Sequence, residues 1–299
     1  GFGKFLRHIP ISIISGFIQA AAIIIIISQF TTAFGVEFPD DGLKKITYLF
    51  THLHELKLNT TFLFLTSIIF LFLFSVSFPG FPSSISLVLV TGILSYLFDF
   101  EKYDILLIGE VPNGLPEFIF PNVNINSIKY LPGAIGIAII ASIGSSMMAI
   151  KLESYQPKKI KLNREYMSLG LAKIISSFFG SMLSAGSFNR TILAYKIGGK
   201  TQITGIVSSV IILFTILYLT PVVYYFPQSV IAALIIYSVY FLFDFSLMFK
   251  LWREDKIELS YMLITMLITL FIGFIEGILL GVFIKYFGDY IFKKKINLS

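Results

Sequence analysis

The chain has 299 residues, 56% of them hydrophobic and only 13% charged, and its mean hydropathy is +0.85. Soluble domains carry about 25% charged residues, so water is excluded as the main solvent, and the length suits about ten membrane spans of about 20 residues each. The absence of cysteine excludes disulfides, thiolate metal sites and cysteine nucleophiles, while the net charge of +6 reads as basic residues at cytoplasmic span ends rather than as a nucleic-acid surface.

Apolar runs and the breaks between them predict spans over 8–30, 61–78, 82–98, 131–150 and 167–182, then a short one near 188–199. Four more follow, over 202–220, 227–243, 257–274 and 276–292. The long connections 31–60 and 99–130 read as exposed loops with room for short amphipathic or re-entrant pieces. The chain opens on Gly1 rather than Met, and its first apolar run lacks a signal-peptide cleavage pattern, so a fragment or trimmed chain is expected.

Loop charges set an orientation. One set holds Lys4 and Arg7; Lys151, Lys158, Lys159, Lys161 and Arg164; Lys196 and Lys200; Lys250, Arg253 and Lys256; and Lys285, Lys293, Lys294 and Lys295. The opposite set holds Lys44, Lys45, Lys57, Lys102 and Lys129, diluted by Glu37, Asp40, Asp41, Glu101, Asp104, Glu110 and Glu117. Basic residues accumulate on the cytoplasmic side, so the first set is expected there, with both chain ends. That requires an even number of crossings, which the map meets only if the short 188–199 segment crosses.

Residues 180–201 carry the chemistry. Between Gly180 and Lys196 there are too few apolar residues for a full helix to cross about 30 Å of hydrocarbon. Gly, Ser and Ala up to Gly186 suit an extended stretch, and Ser187 or Asn189 can cap a half-helix running to Gly198–Gly199. Irregular backbone at membrane depth is tolerated only inside protein or beside a water-filled cavity. A half-helix N-terminus offers free N–H groups and the positive end of the dipole, a natural anion site, and Arg190 adds a fixed positive charge there. The competing readings for Arg190 are a pair with a buried carboxylate and an interfacial anchor; a charge inside the membrane is costly and usually functional. Discontinuous helices of this kind build midplane sites in many secondary transporters.

These residues resemble the SulP family of sulfate permeases and related anion exchangers. The segments Asn163-Arg164-Glu165, Gly170-Leu171, Phe179-Gly180, Gly186-Ser187-Phe188-Asn189-Arg190-Thr191 and Gly199-Lys200-Thr201 follow the family's most recognisable stretch in order and spacing. Ile108-Gly109-Glu110-Val111-Pro112-Asn113-Gly114-Leu115-Pro116 is similar to its outer-loop motif. Pro10, Ser15-Gly16-Phe17 and Gln29 resemble its fifth helix, and Leu251-Trp252-Arg253 with Lys256 its last inner loop.

The resemblance implies an all-α integral membrane protein, part of a seven-plus-seven inverted-repeat transporter fold. Residues 1–98 would be the last three helices of a truncated first repeat, 99–130 the outer loop, 131–292 the complete second repeat with its half-helix near 187–198, and 293–299 a cytoplasmic tail. The implied function is secondary transport of inorganic anions (sulfate, bicarbonate or chloride) by alternating access. A non-transporting anion-binding or voltage-responsive protein and an inactive remnant are the alternatives. Substrate-binding positions implied are Gly186, Ser187, Phe188, Asn189, Arg190 and Thr191, with Gly144 and Ser145 from the eighth segment. The implied setting is a multi-pass protein of the cell membrane and a homodimer in the bilayer, with neither cofactor nor nucleic-acid partner. Because the opposing half-helix belongs to the absent third segment, the 299 residues alone are expected not to transport.

Three positions depart from the family pattern. Gly144 stands where an Asp or Glu usually handles a coupling cation, Asn189 where serine is usual, and Lys173 where asparagine is common in the ninth segment. Lys173 is expected to snorkel or to find a carboxylate. His52 and His54 beside Glu55 look like a metal pair, but i, i+2 spacing splays them on a helix and no third ligand is apparent. Glu276 reads as a cap or loop hydrogen-bonder and Trp252, with Lys250 and Arg253, as an interfacial anchor. No Gly-rich phosphate loop, catalytic triad or acid–base carboxylate pair occurs, which argues against an enzyme.

Overall fold

The computed structural model describes residues 10–37, 44–78, 81–112, 114–121, 124–153, 159–182, 184, 186–187, 190–191, 194–195 and 198–296. The described residues are helical almost throughout, and their only β-pairing is an isolated antiparallel bridge between Leu107 and Pro227. In chain order the helices are α1 (Ile11–Ser28), α2 (Phe30–Phe34), α3 (Lys44–Thr51), α4 (Leu58–Ser77), α5 (Ser83–Phe98), α6 (Leu131–Glu153) and α7 (Leu162–Ser177). After these come α8 (Ile203–Val223), which contains a π-turn at Thr215–Leu219, then α9 (Gln228–Tyr240), α10 (Phe245–Glu254), α11 (Lys256–Phe271) and α12 (Phe274–Ile296).

Among the described residues, five helical stretches are long and apolar enough to cross a membrane: Ile11–Phe34, Leu58–Ser77, Ser127–Ser146, Ile203–Val223 and Gln228–Glu254. Helices α5, α7 and α11 have 16 residues each, about 24 Å of rise. A short span is therefore not confined to the 188–199 segment.

The structure corrects several sequence expectations. The span expected at 167–182 is α7, Leu162–Ser177. It begins earlier because Leu162 is buried, and it ends at a Phe178–Gly180 turn in which Gly180 has φ +60°. The 31–60 connection contains α3 and a 3-10 turn at Leu53–Glu55, short pieces of the kind expected there. The 99–130 connection contains 3-10 turns and a paired stretch. There the Ile108 N–H donates to the Phe226 carbonyl (2.9 Å) and the Gln228 N–H to the Leu106 carbonyl (2.9 Å). The run 227–243 stops as a helix at Tyr240, and the inner-loop segment around Trp252 is itself helix α10. Lys285, counted above with the cytoplasmic loops, lies within α12 at 7% exposure, with Nζ 5.1 Å from the centre of the Tyr261 ring.

Two compact units divide the chain, one of residues 1–14, 115–212 and 260–299, the other of 15–114 and 213–259. In the second unit α9 packs on α2, α4 and α5. Ala33, Phe64, Ala232 and Ala233 form one buried cluster, and Leu71, Leu87 and Val230 another. Lipid tails give no hydrophobic drive between helices, so close backbone approach at small residues such as Ala232 and Ala233 supplies the packing energy. Buried hydroxyls turn back on their own helices, Ser67 onto the Leu63 carbonyl (2.6 Å) and Thr91 onto that of Leu87 (2.7 Å). This satisfies them without water.

In the first unit α11 and α12 form a hairpin with glycines at its contact. A Cβ on Gly277 would lie 3.0 Å from Thr269 Cα, and one on Gly281 would lie 3.0 Å from Thr265 Cγ2 and 3.2 Å from Ile13 Cγ2. Thr265 and Thr269 each donate to the carbonyl four residues earlier at 2.8 Å. Glu276 falls in the first turn of α12, where a carboxylate suits the helix dipole.

Candidate functional site

The site expected from the sequence lies where the stretch after α7 returns past α6. Helix α6 is an apolar run whose small residues Gly144, Ser145 and Ser146 fall near its middle. Ser146 donates to the Ser142 carbonyl at 2.7 Å and shares a very short hydroxyl contact with Tyr166 of α7. The α6–α7 connection is tied by the Ile160 N–H donating to Glu153 Oε1 at 2.7 Å.

Gly186 is where the returning chain meets α6. A Cβ there would lie 2.8 Å from Met148 Cε, 3.1 Å from Met148 Sδ and 3.8 Å from Ser145 Oγ. The end of the flexible Met148 side chain would have to shift to admit a Cβ there. Ser145 is 0% exposed, and its Oγ has no hydrogen-bond partner among the described residues. A buried hydroxyl left unpaired costs about 1–3 kcal/mol, so this group carries an unmet demand for a partner beside Gly186.

Beyond Gly186 the chain turns helical. The Thr191 N–H donates to the Ser187 carbonyl at 3.0 Å, a helical i to i−4 bond. Residues 190–191 and 194–195 are helical. At the far end the Gly199 N–H donates to the Ala194 carbonyl (2.8 Å) and the Gly198 N–H to that of Tyr195 (3.1 Å). Gly198 has φ +102°, a backbone conformation that favours glycine and ends helices. These bonds are helix-like at Thr191 and turn-like at Gly198–Gly199.

The structure thus brings Gly186 to Ser145, with Ser187 and Thr191 both half-buried. Arg190 is exposed and makes no ion pair among the described residues, so no buried-carboxylate partner is seen for it there. Gly144 is exposed, and a Cβ on it would meet nothing within 4 Å. Phe188 and Asn189, including the choice between Ser187 and Asn189 as cap, lie outside the described residues. Sequence reading passed over Met148. It sits three residues after Ser145 on the same face of α6, and the i, i+3 spacing was the signal.

Lys173 is half-buried in α7 with no ion pair among the described residues. It lies four residues, about 6 Å of rise, from the helix end at Ser177, within reach of the interface for a snorkelling side chain. The His52 ring stacks on Tyr48 at 4.0 Å. Tyr48 donates to Glu55 Oε2 at 2.8 Å, and the bond to that carboxylate raises the Tyr48 pKa above its ordinary value. Glu55 is therefore engaged by Tyr48, while the His52 and His54 rings stand 6.0 Å apart.

Comparison with known proteins extends these observations. Residues 1–266 match the sulfate permease family. The chain is 34% identical over 169 residues to the chloroplastic sulfate transporter 4.1 of Arabidopsis thaliana, covering 56% of this chain and 24% of that protein. It is 27% identical to the sodium-independent sulfate anion transporter of Bos taurus, covering 88% of this chain and 50% of that one. It thus spans about a quarter to a half of the length of these curated relatives. The fold is similar to that of the murine Slc26a9 anion transporter in its inward-facing state, with a TM-score of 0.84 at 23% identity, covering 96% of this chain and 48% of that one. It is also similar to the transmembrane domain of a cyanobacterial bicarbonate transporter, BicA, with a TM-score of 0.77 at 22% identity, covering 92% and 70%.

Proposed function

Because the chain belongs to the sulfate permease family, a family of multi-pass membrane proteins, we propose that it forms the transmembrane part of a secondary transporter of inorganic anions of the sulfate, bicarbonate or chloride class, working by alternating access. The observation that carries this reading is the fully buried, unpartnered Ser145 hydroxyl beside Gly186, one turn from Arg190. A hydroxyl donor, the N-terminal N–H groups of a short helix and a guanidinium together suit a small anion. In this reading Gly186, Ser187, Phe188, Asn189, Arg190 and Thr191 form one wall, and Gly144 and Ser145 the other.

Gly144 offers no titratable group, so anion movement is expected to be independent of a proton gradient. The test is uptake of labelled sulfate, bicarbonate and chloride by cells expressing the intact gene product, with and without an imposed pH difference. Uptake of at least one anion above the background of untransfected cells is expected. No uptake of any of them, at verified membrane insertion, would remove the transport reading.

The same reading takes the protein as a homodimer in the cell membrane with ten crossings, and its Lys/Arg distribution supports cytoplasmic placement of both ends of this chain. Cysteines introduced singly at Lys159 and Asn297 are expected to resist an impermeant thiol reagent added outside intact cells. The chain has no native cysteine to confuse the readout. Ready labelling at both positions would reverse the topology.

A further inference from the structure

The helical stretch Gln228–Glu254 is long enough and contains an apolar window long enough for one span, yet the backbone divides it. Helix α9 ends at Tyr240 after 13 residues. The Leu242 and Phe243 N–H groups then turn back onto Val239 and Tyr240. Asp244 starts a new helix, its Oδ1 accepting from the Leu247 N–H (2.9 Å) and the Ser246 hydroxyl (2.7 Å). Helix α10 stops at Asp255, which caps α11 by accepting from the Ile257 N–H (3.1 Å) and the Glu258 N–H (3.0 Å). With ten residues α10 rises about 15 Å, half of what a hydrocarbon core requires.

Its faces differ. Phe245, Phe249 and Trp252, at i, i+4 and i+7, share one side and are 44%, 64% and 64% exposed. Leu247, Met248 and Leu251 are half-buried on another side. Ser246, Lys250, Arg253 and Glu254 form the polar side. Lys250 pairs loosely with Glu254 at 3.8 Å, while Arg253 and Lys256 have no ion pair among the described residues. The apolar helices α9 and α11 adjoin α10 at its two ends.

We propose that α10 is an in-plane helix docked on the phospholipid bilayer, with Phe245, Phe249 and Trp252 inserted at the top of the acyl chains and Arg253 and Lys250 at lipid phosphates. Aromatic residues and snorkelling basic side chains both favour that depth. The local acids Asp244, Glu254, Asp255 and Glu258 balance Lys250, Arg253 and Lys256. Any phospholipid phosphate therefore serves, with no strong selection for anionic headgroups.

Trp252 is the chain's only tryptophan, so its fluorescence reports on this helix alone. The chain is reconstituted into phosphatidylcholine vesicles brominated either at acyl positions 6 and 7 or at 11 and 12, and quenching is compared. Stronger quenching by the shallow label is expected, together with a fall of at least about twofold in F245S/F249S, whose altered side chains are exposed and leave the buried packing intact. Dibromo-phosphatidylglycerol should be preferred over its phosphatidylcholine counterpart by less than about threefold, below the factor a single unbalanced basic side chain gives near an anionic surface. Stronger quenching by the deep label would place Trp252 well below the top of the acyl chains, and would overturn the proposal. Absence of quenching, an unchanged F245S/F249S variant or a preference for phosphatidylglycerol of threefold or more would overturn it equally. Both leaflets carry the label, so neither orientation nor transport affects the outcome.

Discussion

Replacing Arg190 with alanine is expected to weaken binding of the transported anion by roughly ten- to a hundredfold, the range for losing one charge-assisted hydrogen bond worth about 1.5–3 kcal/mol. The guanidinium is exposed and free of ion pairs among the described residues, so its charge is not already spent on a protein carboxylate. It follows Ser187 by less than one helical turn, and the Ser187 carbonyl accepts from the Thr191 N–H, which fixes the start of the short helix next to Ser145. Arg190→Lys should recover only part of the loss, because an ammonium keeps the charge but not the planar fork that matches an oxyanion. Ser145→Ala, which removes the unpartnered hydroxyl, should cost less than Arg190→Ala and leave insertion unchanged. Anion titrations of purified protein followed by tracer flux would check all three. Unchanged affinity in correctly inserted Arg190→Ala protein would take Arg190 out of the site.

The second large effect concerns the α11–α12 hairpin. Gly277→Ala and Gly281→Ala are each expected to destabilise the protein by about 1–3 kcal/mol through overpacking, but by different routes. At Gly281 the obstacle is the Thr265 side chain, with Cγ2 at 3.0 Å from the added carbon. Thr265→Ala should therefore rescue much of the loss. At Gly277 the Thr269 hydroxyl is the nearest obstacle, but Thr269 Cβ at 2.9 Å and Cα at 3.0 Å stay in place in Thr269→Ala, so the rescue there should be smaller. Gly205→Ala, where nothing lies within 4 Å, is the neutral control. A double-mutant cycle on thermal or denaturant midpoints in detergent reads the coupling directly. Equal rescue at both glycines would mean that the two helices separate freely and are not held at these contacts.

Much of the architecture was legible in order and type. The apolar runs announced a helical membrane protein, and the scarcity of apolar residues between Gly180 and Lys196 marked a stretch too polar for a full span. Those signals are local: they depend on which side chains a segment contains, and the bilayer admits few solutions for each. Segment ends were less legible. α7 starts five residues earlier than its apolar run, where Leu162 is buried, and the 227–243 run stops as a helix at Tyr240, with Asp244 and Asp255 satisfying N–H groups at the helix starts that follow.

What the sequence determined by itself is therefore the solvent, the helical class and the family, since each follows from composition or from an ordered motif. Only the tertiary structure decided that Gly186 lies against Met148 and Ser145, that Lys285 is buried over Tyr261, and that Leu106–Ile108 pairs beside Phe226–Gln228. Each of these joins residues from about 24 to about 120 positions apart. Their energies arise from contact and exclusion of solvent between separate elements, which no periodicity within one element encodes.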